Sequence, residues 1–420
     1  MKIAFKTLGC RLNQYETDAL AAQFAENGYE ISENEDGAEV VVVNTCTVTN
    51  QSNQKSRNIL SRVTKSNAKA KIIITGCMTV SHKEQLKERF PQAFIIDNDD
   101  KSAIFYGVDS LLKSGSYKLS GIDHDLFSYT SFTEVFHTRS LIKIQDGCNN
   151  FCSFCIVPFV RGRAVSRPSE KVLKNVHEVI EKGAKEIVIT GVNISRYSHN
   201  GMTFSDLLEK ILNIDGDFRV RISSLEPDKI DEKFFSLIGH PRLTPHLHLC
   251  LQSGSDNVLT QMRRMYSVSE FLSIVEKVRI KDASFNITTD IIVGFPGETD
   301  EDFEKTIQVA KLVCFGHIHI FKYSVRQGTK AQKMNNHIPE RIKSERSKIM
   351  HKLAAELTAK YRKPFNNTIQ RILVEKWENG FASGYNEYYV PMIFETDNKQ
   401  CNRFEVVKAR VKDFDTDYSS

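Results

Sequence analysis

The chain has 420 residues, 40% hydrophobic and 26% charged, which is the composition of an ordinary globular protein with length for two or three domains. Its start has no apolar stretch of signal-peptide length, and no apolar run is long enough to span a bilayer, so a cytoplasmic protein without membrane segments is expected. The net charge of +5 is modest and concentrated: residues 340–363 carry eight Lys and Arg against three Glu.

The first hundred residues alternate strand and helix patterns, with strands at 2–8, 40–44 and 72–75 and helices at 15–27, 51–65 and 81–90. Alternation of this kind predicts a parallel sheet flanked by helices, and a run such as Val40-Val41-Val42-Val43 fits a strand buried on both faces. Cys10, Cys46 and Cys77 each fall just past one of these strands. Ligands bind at that edge of an open α/β sheet, so thiols 36 and 31 residues apart in sequence are expected to meet in space. Buried structural cysteines are the alternative, because free Cys is a common core residue.

Residues 111–137 are polar, lack clear periodicity and read as a linker between a first domain at 1–110 and a second at 138–363. In the second domain, strand runs at 141–144, 186–190, 218–222, 246–251, 284–293 and 316–323 alternate with helical patterns at 169–182, 204–213, 231–238, 268–280 and 300–312. Six such units predict an open (β/α)6 barrel with its site at the C-terminal strand ends. Cys148, Thr190-Gly191-Val192-Asn193, Gln252-Ser253-Gly254-Ser255 and Gly294-Phe295-Pro296-Gly297-Glu298 all follow strands at that face. Their glycines let backbone approach a ligand.

The basic stretch at 340–363 has apolar residues Ile342, Ile349, Leu353 and Leu357 at roughly helical spacing. It reads as a solvated helix joining two domains, with phosphate contact to nucleic acid as the alternative. Residues 364–420 turn to β-type runs at 369–374, 388–394 and 404–411, which fit a small antiparallel β-barrel. Trp377, Phe381, Tyr385, Tyr388, Tyr389, Phe394 and Phe404 are expected to fill its interior, with stacking on bases as the alternative.

Cys148, Cys152 and Cys155, spaced Cys-x3-Cys-x2-Cys, give the most specific signal. The cytosol keeps thiols reduced, so clustered cysteines read as metal ligands or redox groups. A structural zinc takes four ligands, and so does an ordinary iron–sulfur cluster. Three cysteines in a tight loop can hold three irons of a 4Fe–4S cube and leave the fourth open. Phe154, just before the last ligand, would line the cavity beside it. A zinc site would have to recruit His137 or His177, and neither has finger spacing.

This loop resembles the signature of the radical S-adenosylmethionine (SAM) superfamily. Thr7-Leu8-Gly9-Cys10-Arg11-Leu12-Asn13, Asn44-Thr45-Cys46 and Thr75-Gly76-Cys77 resemble the N-terminal domain of its methylthiotransferase family. The same family's radical domain is matched by Arg161-Gly162-Arg163 with Ser166-Arg167, by His248-Leu249-Cys250-Leu251-Gln252-Ser253-Gly254-Ser255, by Met262-Arg263-Arg264-Met265-Tyr266 and by residues 290–299. The tail sits where the family carries its TRAM domain. Residues 10–17 and 143–148 look most like the type acting on N6-threonylcarbamoyladenosine beside the tRNA anticodon. The other types act on isopentenyladenosine in tRNA or on a ribosomal protein aspartate.

The resemblance implies two 4Fe–4S clusters. Cys148, Cys152 and Cys155 would hold the one that cleaves SAM, and Cys10, Cys46 and Cys77 an auxiliary one whose open iron carries sulfur. Two SAM molecules per turnover would methylate that sulfur and make the radical that removes hydrogen from adenine C2. Partners would be the tRNA anticodon stem-loop and an electron donor such as flavodoxin or ferredoxin. Phe154, Asn193 and Gln252 are candidate SAM contacts. Arg161 and Arg163 would meet tRNA phosphate, the SAM carboxylate or an acidic neighbour. Cys250, Cys314 and Cys401 read as structural. A non-catalytic iron–sulfur carrier or redox sensor and a zinc-dependent nucleic-acid module are the readings of other classes.

Overall fold

Val40-Val41-Val42-Val43 lies in the middle strand of a five-stranded parallel sheet, with every side chain buried. The computed structural model describes residues 1–118, 126–129 and 138–412. Strands β1 (Lys2–Thr7), β2 (Glu30–Ser32), β3 (Val40–Thr45), β4 (Lys71–Gly76) and β5 (Phe94–Ile95) lie in the order β2-β1-β3-β4-β5. Val40 and Val42 pack with Leu20 and Phe24 of the helix Arg11–Glu26, while Val41 and Val43 pack with Leu60 and Val63 of the helix Asn50–Ser66. A strand buried on both faces needs apolar residues at every position, which is what this run supplies.

Several boundaries differ from expectation. The first helix begins at Arg11, four residues early, with Cys10 as its N-cap. The helix expected at 81–90 is two, Cys77–Ser81 and Lys83–Arg89, broken at His82. Strands β2 and β5, of three and two residues, are edge strands too short for a periodic signal. The helix Ile104–Ser114 runs into the segment read as a linker; residues 119–125 and 130–137, His137 among them, lie outside the described residues.

The second domain contains β6 (Ser140–Lys143), β7 (Glu186–Thr190), β8 (Arg219–Ile222), β9 (His246–His248), β10 (Asn286–Val293) and β11 (His317–Lys322), all parallel. The first three and the last three form two sheets, joined by the parallel bridges Val220 to Leu243 and Leu225 to Leu249. This is the open six-stranded barrel expected from the sequence. Alternate residues take opposite faces. Ile187, Ile189, Val220, Ile222, Leu247 and Ile287 pack outward in the main core. Glu186, Arg219, Arg221, His246, His248, Thr288, His317 and His319 occupy the other register and face the lumen.

The helix Arg11–Glu26 of the first domain enters this concave face, where Tyr15, Ala19 and Ala22 pack on Leu141 and Val188. The basic helix Glu340–Arg362 is not the solvated connector the sequence predicts: Met350, Leu353, Ala354 and Leu357 join the barrel core. Arg346, buried on the same helix, donates to Glu298 Oε1 at 2.7 Å. Its charges are numerous, but its apolar stripe and two of its cations, the buried Lys343 and Arg346, are committed to the barrel.

The tail closes as an antiparallel barrel of β12 (Thr368–Glu378), β13 (Phe381–Asn386), β14 (Pro391–Glu395) and β15 (Arg403–Val411). Strand β13 gave no sequence signal, because its interior is Ala-Ser-Gly. A Cβ on Gly384 would lie 1.8 Å from the Leu373 carbonyl oxygen, so this strand needs glycine to pair there. The tail core is Ile372, Val374, Ala382, Val390, Met392, Phe394 and Ala409 with Phe365. Tyr385 and Tyr389, expected inside it, instead stack on each other with centroids 4.4 Å apart and reach the lumen of the larger barrel. No described helix is long and apolar enough to cross a membrane.

Candidate active site between two cysteine sets

Cys10, Cys46 and Cys77 sit at the C-terminal ends of β1, β3 and β4, which are neighbours in the sheet. Gly9 (φ +102°) makes this possible: a Cβ there would lie 2.6 Å from Cys46 Cβ and 2.8 Å from its Sγ. The loops carrying Cys10 and Cys46 therefore touch. Burial pushes the Cys77 thiol up to about 11 and raises Cys46 as well. Thiols in this state keep their protons until a metal cation displaces them.

The loop of Cys148, Cys152 and Cys155 is fixed from both sides. Gly147 (φ +67°) admits no side chain, since a Cβ would lie 2.0 Å from the Arg163 carbonyl oxygen. Ser153 donates from its N to Met262 O at 2.9 Å and from its Oγ to Gln261 O at 2.8 Å. Two residues past Met262, Arg264 donates from Nη1 to Cys152 Sγ at 3.2 Å and also pairs with Glu226. Asn193 Nδ2 lies 4.0 Å from Cys148 Sγ, the outer limit for a bond to sulfur. Gln145 Oε1 accepts from Val192 N at 3.0 Å and Asn193 N at 2.8 Å, so it holds that loop against the cysteine loop. Burial raises Cys155 to about 12, with Cys152 adding to the rise.

Among the described residues, the three-residue group of metal-ligating side chains that closes to within 4.8 Å is His248, Asp290 and His319. Neither cysteine triplet is that tight. Zinc–sulfur bonds of about 2.3 Å in a tetrahedron would draw thiolates closer than that. The wider spacing suits a polynuclear cube in which three irons each take one cysteine. The donor chemistry, all thiol and three per set, fits 4Fe–4S clusters with one open iron each.

The two sets are neighbours. Cys77 packs with Ile156 and Val160, just after Cys155. Behind them lies a buried charge network. Glu16 accepts from Lys101 at 2.6 Å and from Lys143 and Arg161 at 3.0 Å, and Asp146 accepts from Lys143 at 2.6 Å and Arg161 at 3.0 Å. Burial pushes the Glu16 carboxyl up, but Arg161, Lys101 and Lys143 outweigh it and hold it well below its usual range. Three cations against two carboxylates leave one positive charge in surplus, beside Cys77 and Cys10. That surplus matches an anionic ligand set. Arg161 thus meets acidic neighbours, while Arg163 lies over the Phe151 ring at 4.4 Å.

The barrel lumen is also charged. Glu186 accepts from Arg219 at 2.6 Å and Arg221 at 3.1 Å, with Arg139 at 3.5 Å, and these arginines overcome burial to hold it at about 2. Arg221 lies over the Tyr389 ring at 3.9 Å, and Arg139 donates to Tyr389 Oη at 2.7 Å. Arg11 reaches into the same space; burial, then the nearby Arg221, lowers its guanidinium to about 10. His248 Nδ1 lies 3.0 Å from Thr288 Oγ1, and its Nε2 3.4 Å from Asp290 Oδ1.

Phe154 is half-buried against Phe295, ring centroids 6.5 Å apart, beside Val258 and Met262. Gln252 is buried with φ +66°, its N donating to Asp290 O and its O accepting from Ile292 N, both at 2.9 Å. Cys250 lies behind the compact set, its carbonyl accepting from Tyr266 Oη at 2.6 Å; Cys314 caps the helix Asp300–Val313 in a left-handed conformation, and Cys401 lies in a tail loop. His177 sits on the outer helix Ser169–Glu181. Sequence reasoning missed roles for Gln145, Glu226, Arg264 and His319. Strands reading Arg-Val-Arg-Ile and His-Ile-His carry the signal, a charged register facing a cavity.

An open parallel barrel with this three-cysteine loop defines a radical SAM protein, and residues 142–310 match the family described as the Radical SAM superfamily. Residues 2–97 match the Uncharacterized protein family UPF0004. A solved radical SAM methyltransferase, TsrM from Kitasatospora setae with cobalamin and a [4Fe–4S] cluster, shares the fold at a TM-score of 0.57 and 14% identity, over 76% of this chain and 72% of that one. The threonylcarbamoyladenosine tRNA methylthiotransferase MtaB of Thermotoga maritima is 37% identical over 92% of this chain and 90% of its own. That of Bacillus subtilis is 33% identical over 97% and 93%. The tRNA-2-methylthio-N(6)-dimethylallyladenosine synthase of Fusobacterium nucleatum is 36% identical over 89% and 88%. The chain belongs to the radical SAM methylthiotransferase family, whose cofactors are 4Fe–4S clusters and S-adenosylmethionine.

Proposed function

We propose that this protein adds a methylthio group to C2 of N6-threonylcarbamoyladenosine beside the anticodon of tRNA, in the cytoplasm, with electrons from a donor such as flavodoxin or ferredoxin. Cys148, Cys152 and Cys155 hold the cluster that cleaves SAM, and Cys10, Cys46 and Cys77 the auxiliary cluster. The contact of Cys77 with Ile156 and Val160 supports this reading, because it brings the segment after the compact set against a cysteine of the scattered set. Bound there, the clusters and two SAM molecules supply a 5′-deoxyadenosyl radical and the sulfur to be transferred.

The chain's own residues position and shield. Arg264 steadies the Cys152 thiolate by a charge-assisted hydrogen bond. Asn193 and Gln252 lie on loops at the C-terminal strand ends, where SAM contacts are expected, and Phe154, within the cysteine loop, packs on Phe295 and Met262. Tyr385 and Tyr389 of the tail line the lumen cavity with stacked rings, apolar surface of the kind that shields a reactive radical.

Two substitutions test the division of labour. Cys152→Ala is expected to abolish reductive SAM cleavage, and Cys46→Ala to retain it while losing methylthio transfer. Normal product from Cys46→Ala would sink the role of the scattered set. Relatives named for dimethylallyladenosine are nearly as similar as those named for threonylcarbamoyladenosine, which keeps the isopentenyl substrate as a second reading. Mass spectrometry of tRNA nucleosides from cells lacking the gene separates them by which methylthio nucleoside disappears.

A further inference from the structure

We propose that Arg11 binds the carboxylate on the N6 substituent of the substrate base, and that the lumen cavity it lines is the pocket for that substituent. The inference rests on the substrate reading above. Threonylcarbamoyl ends in a free carboxylate, whereas an isopentenyl group is a hydrocarbon.

The cavity encloses about 120 Å³ and is lined by Arg11, His246, His248, His317, His319 and Tyr389 among others. At ~10–15 Å³ per water-sized group it holds roughly eight to twelve such groups, and the substituent beyond N6 has about ten non-hydrogen atoms. Two chains of neighbours lead from the cavity lining toward the cysteine sets. Arg11 follows Cys10 directly. On the other side His248 touches Asp290 at 3.4 Å, and Asp290 lies within electrostatic reach of Arg264, which holds Cys152. On this assignment a base held between the two cysteine sets extends its substituent toward Arg11.

The charges fit the same occupant. Glu186 already serves Arg219, Arg221 and Arg139, and Glu375 serves Arg139. Among the described residues no carboxylate pairs with Arg11, and its Nη1 is fully buried without a hydrogen-bond partner. A guanidinium presents a planar fork that matches a carboxylate in two parallel bonds. Asp290, nearer the cysteine loop, can accept from the carbamoyl N–H groups next to the ring. A hydrocarbon substituent satisfies neither end, and a site whose buried polar groups stay unpaired rejects its ligand strongly.

The test uses reconstituted holoenzyme and anticodon stem-loops of one sequence carrying either N6-threonylcarbamoyladenosine or unmodified adenosine. The readout is the ratio of the two dissociation constants, in which losses common to both stem-loops cancel. The unaltered enzyme is expected to prefer the modified stem-loop, and Arg11→Met to reduce that preference about ten- to a hundredfold, with Arg11→Lys in between. A stem-loop carrying the carboxamide analogue should lose a similar factor on the unaltered enzyme, which needs no variant to fold. A preference unchanged in Arg11→Met, or kept by the carboxamide, would overturn the assignment of Arg11 and leave the substrate reading standing. An unaltered enzyme that ignores the modified stem-loop and methylthiolates isopentenyladenosine would overturn the substrate reading and this assignment with it.

Discussion

Arg161 Nη1 lies 3.0 Å from Glu16 Oε1, a contact between the segment after the compact cysteine loop and the helix that begins beside Cys10. Both side chains are buried, so the contact ties the two cysteine sets together without water in between.

Glu16→Gln is expected to weaken that tie severely. Lys143 and Arg161 would keep Asp146, while Lys101 would lose its carboxylate partner among the described residues. Removing one member of a buried ion network typically costs about 3–5 kcal/mol, read from urea unfolding of the protein without clusters. A double variant that also replaces Lys101 by Met restores the charge balance and should recover part of the loss. A midpoint unchanged in Glu16→Gln would mean the network adds nothing to the domain contact.

Arg264→Met should make the cluster beside it harder to reduce. The guanidinium donates to Cys152 Sγ at 3.2 Å, and a hydrogen bond and positive charge at a cluster thiolate favour the reduced state. Loss of about 1.4 kcal/mol of differential interaction corresponds to roughly 60 mV for one electron. A redox titration is expected to show a shift of that order to more negative potential, with iron content retained. An unmoved potential would show that Arg264 serves Glu226 and Tyr266 alone.

The lumen histidines predict acid sensitivity. Burial, then Arg221, holds His246 well below its ordinary value, and burial with His319 lowers His317 to about 3. The unfolded chain titrates these groups near 6.5. Between those values the unfolded state binds more protons, so stability rises with pH there. It is fully present above about pH 6.5 and is lost as pH falls toward the folded values. His246→Gln should flatten the fall in thermal midpoint between about pH 6.5 and 5, and an unaltered slope would mean that His246 does not contribute.

Much of this was legible in the sequence. Four valines in a row announced a doubly buried strand, six strand–helix units announced the open barrel, and cysteines placed after strands announced three thiols at one edge of a sheet. Each is a local pattern with a local cause. The tail strand Phe381–Asn386 was invisible because its Ala-Ser-Gly interior answers to the close approach of another strand. The basic helix Glu340–Arg362 misled because its charges are local while its burial depends on the barrel it covers.

The sequence by itself determined the α/β architecture and the two sets of three thiols, since periodicity and cysteine spacing are written residue by residue. Only the tertiary structure decided that the helix after Cys10 enters the barrel lumen, that Arg161 bonds Glu16 and Asp146, and that Tyr385 and Tyr389 leave their own barrel to floor another. Apart from Arg161 with Asp146, fifteen positions away, these contacts join residues more than a hundred positions apart or settle which of two faces an aromatic ring takes. A residue type fixes the charge or ring it offers, and the packing of whole domains fixes what meets it.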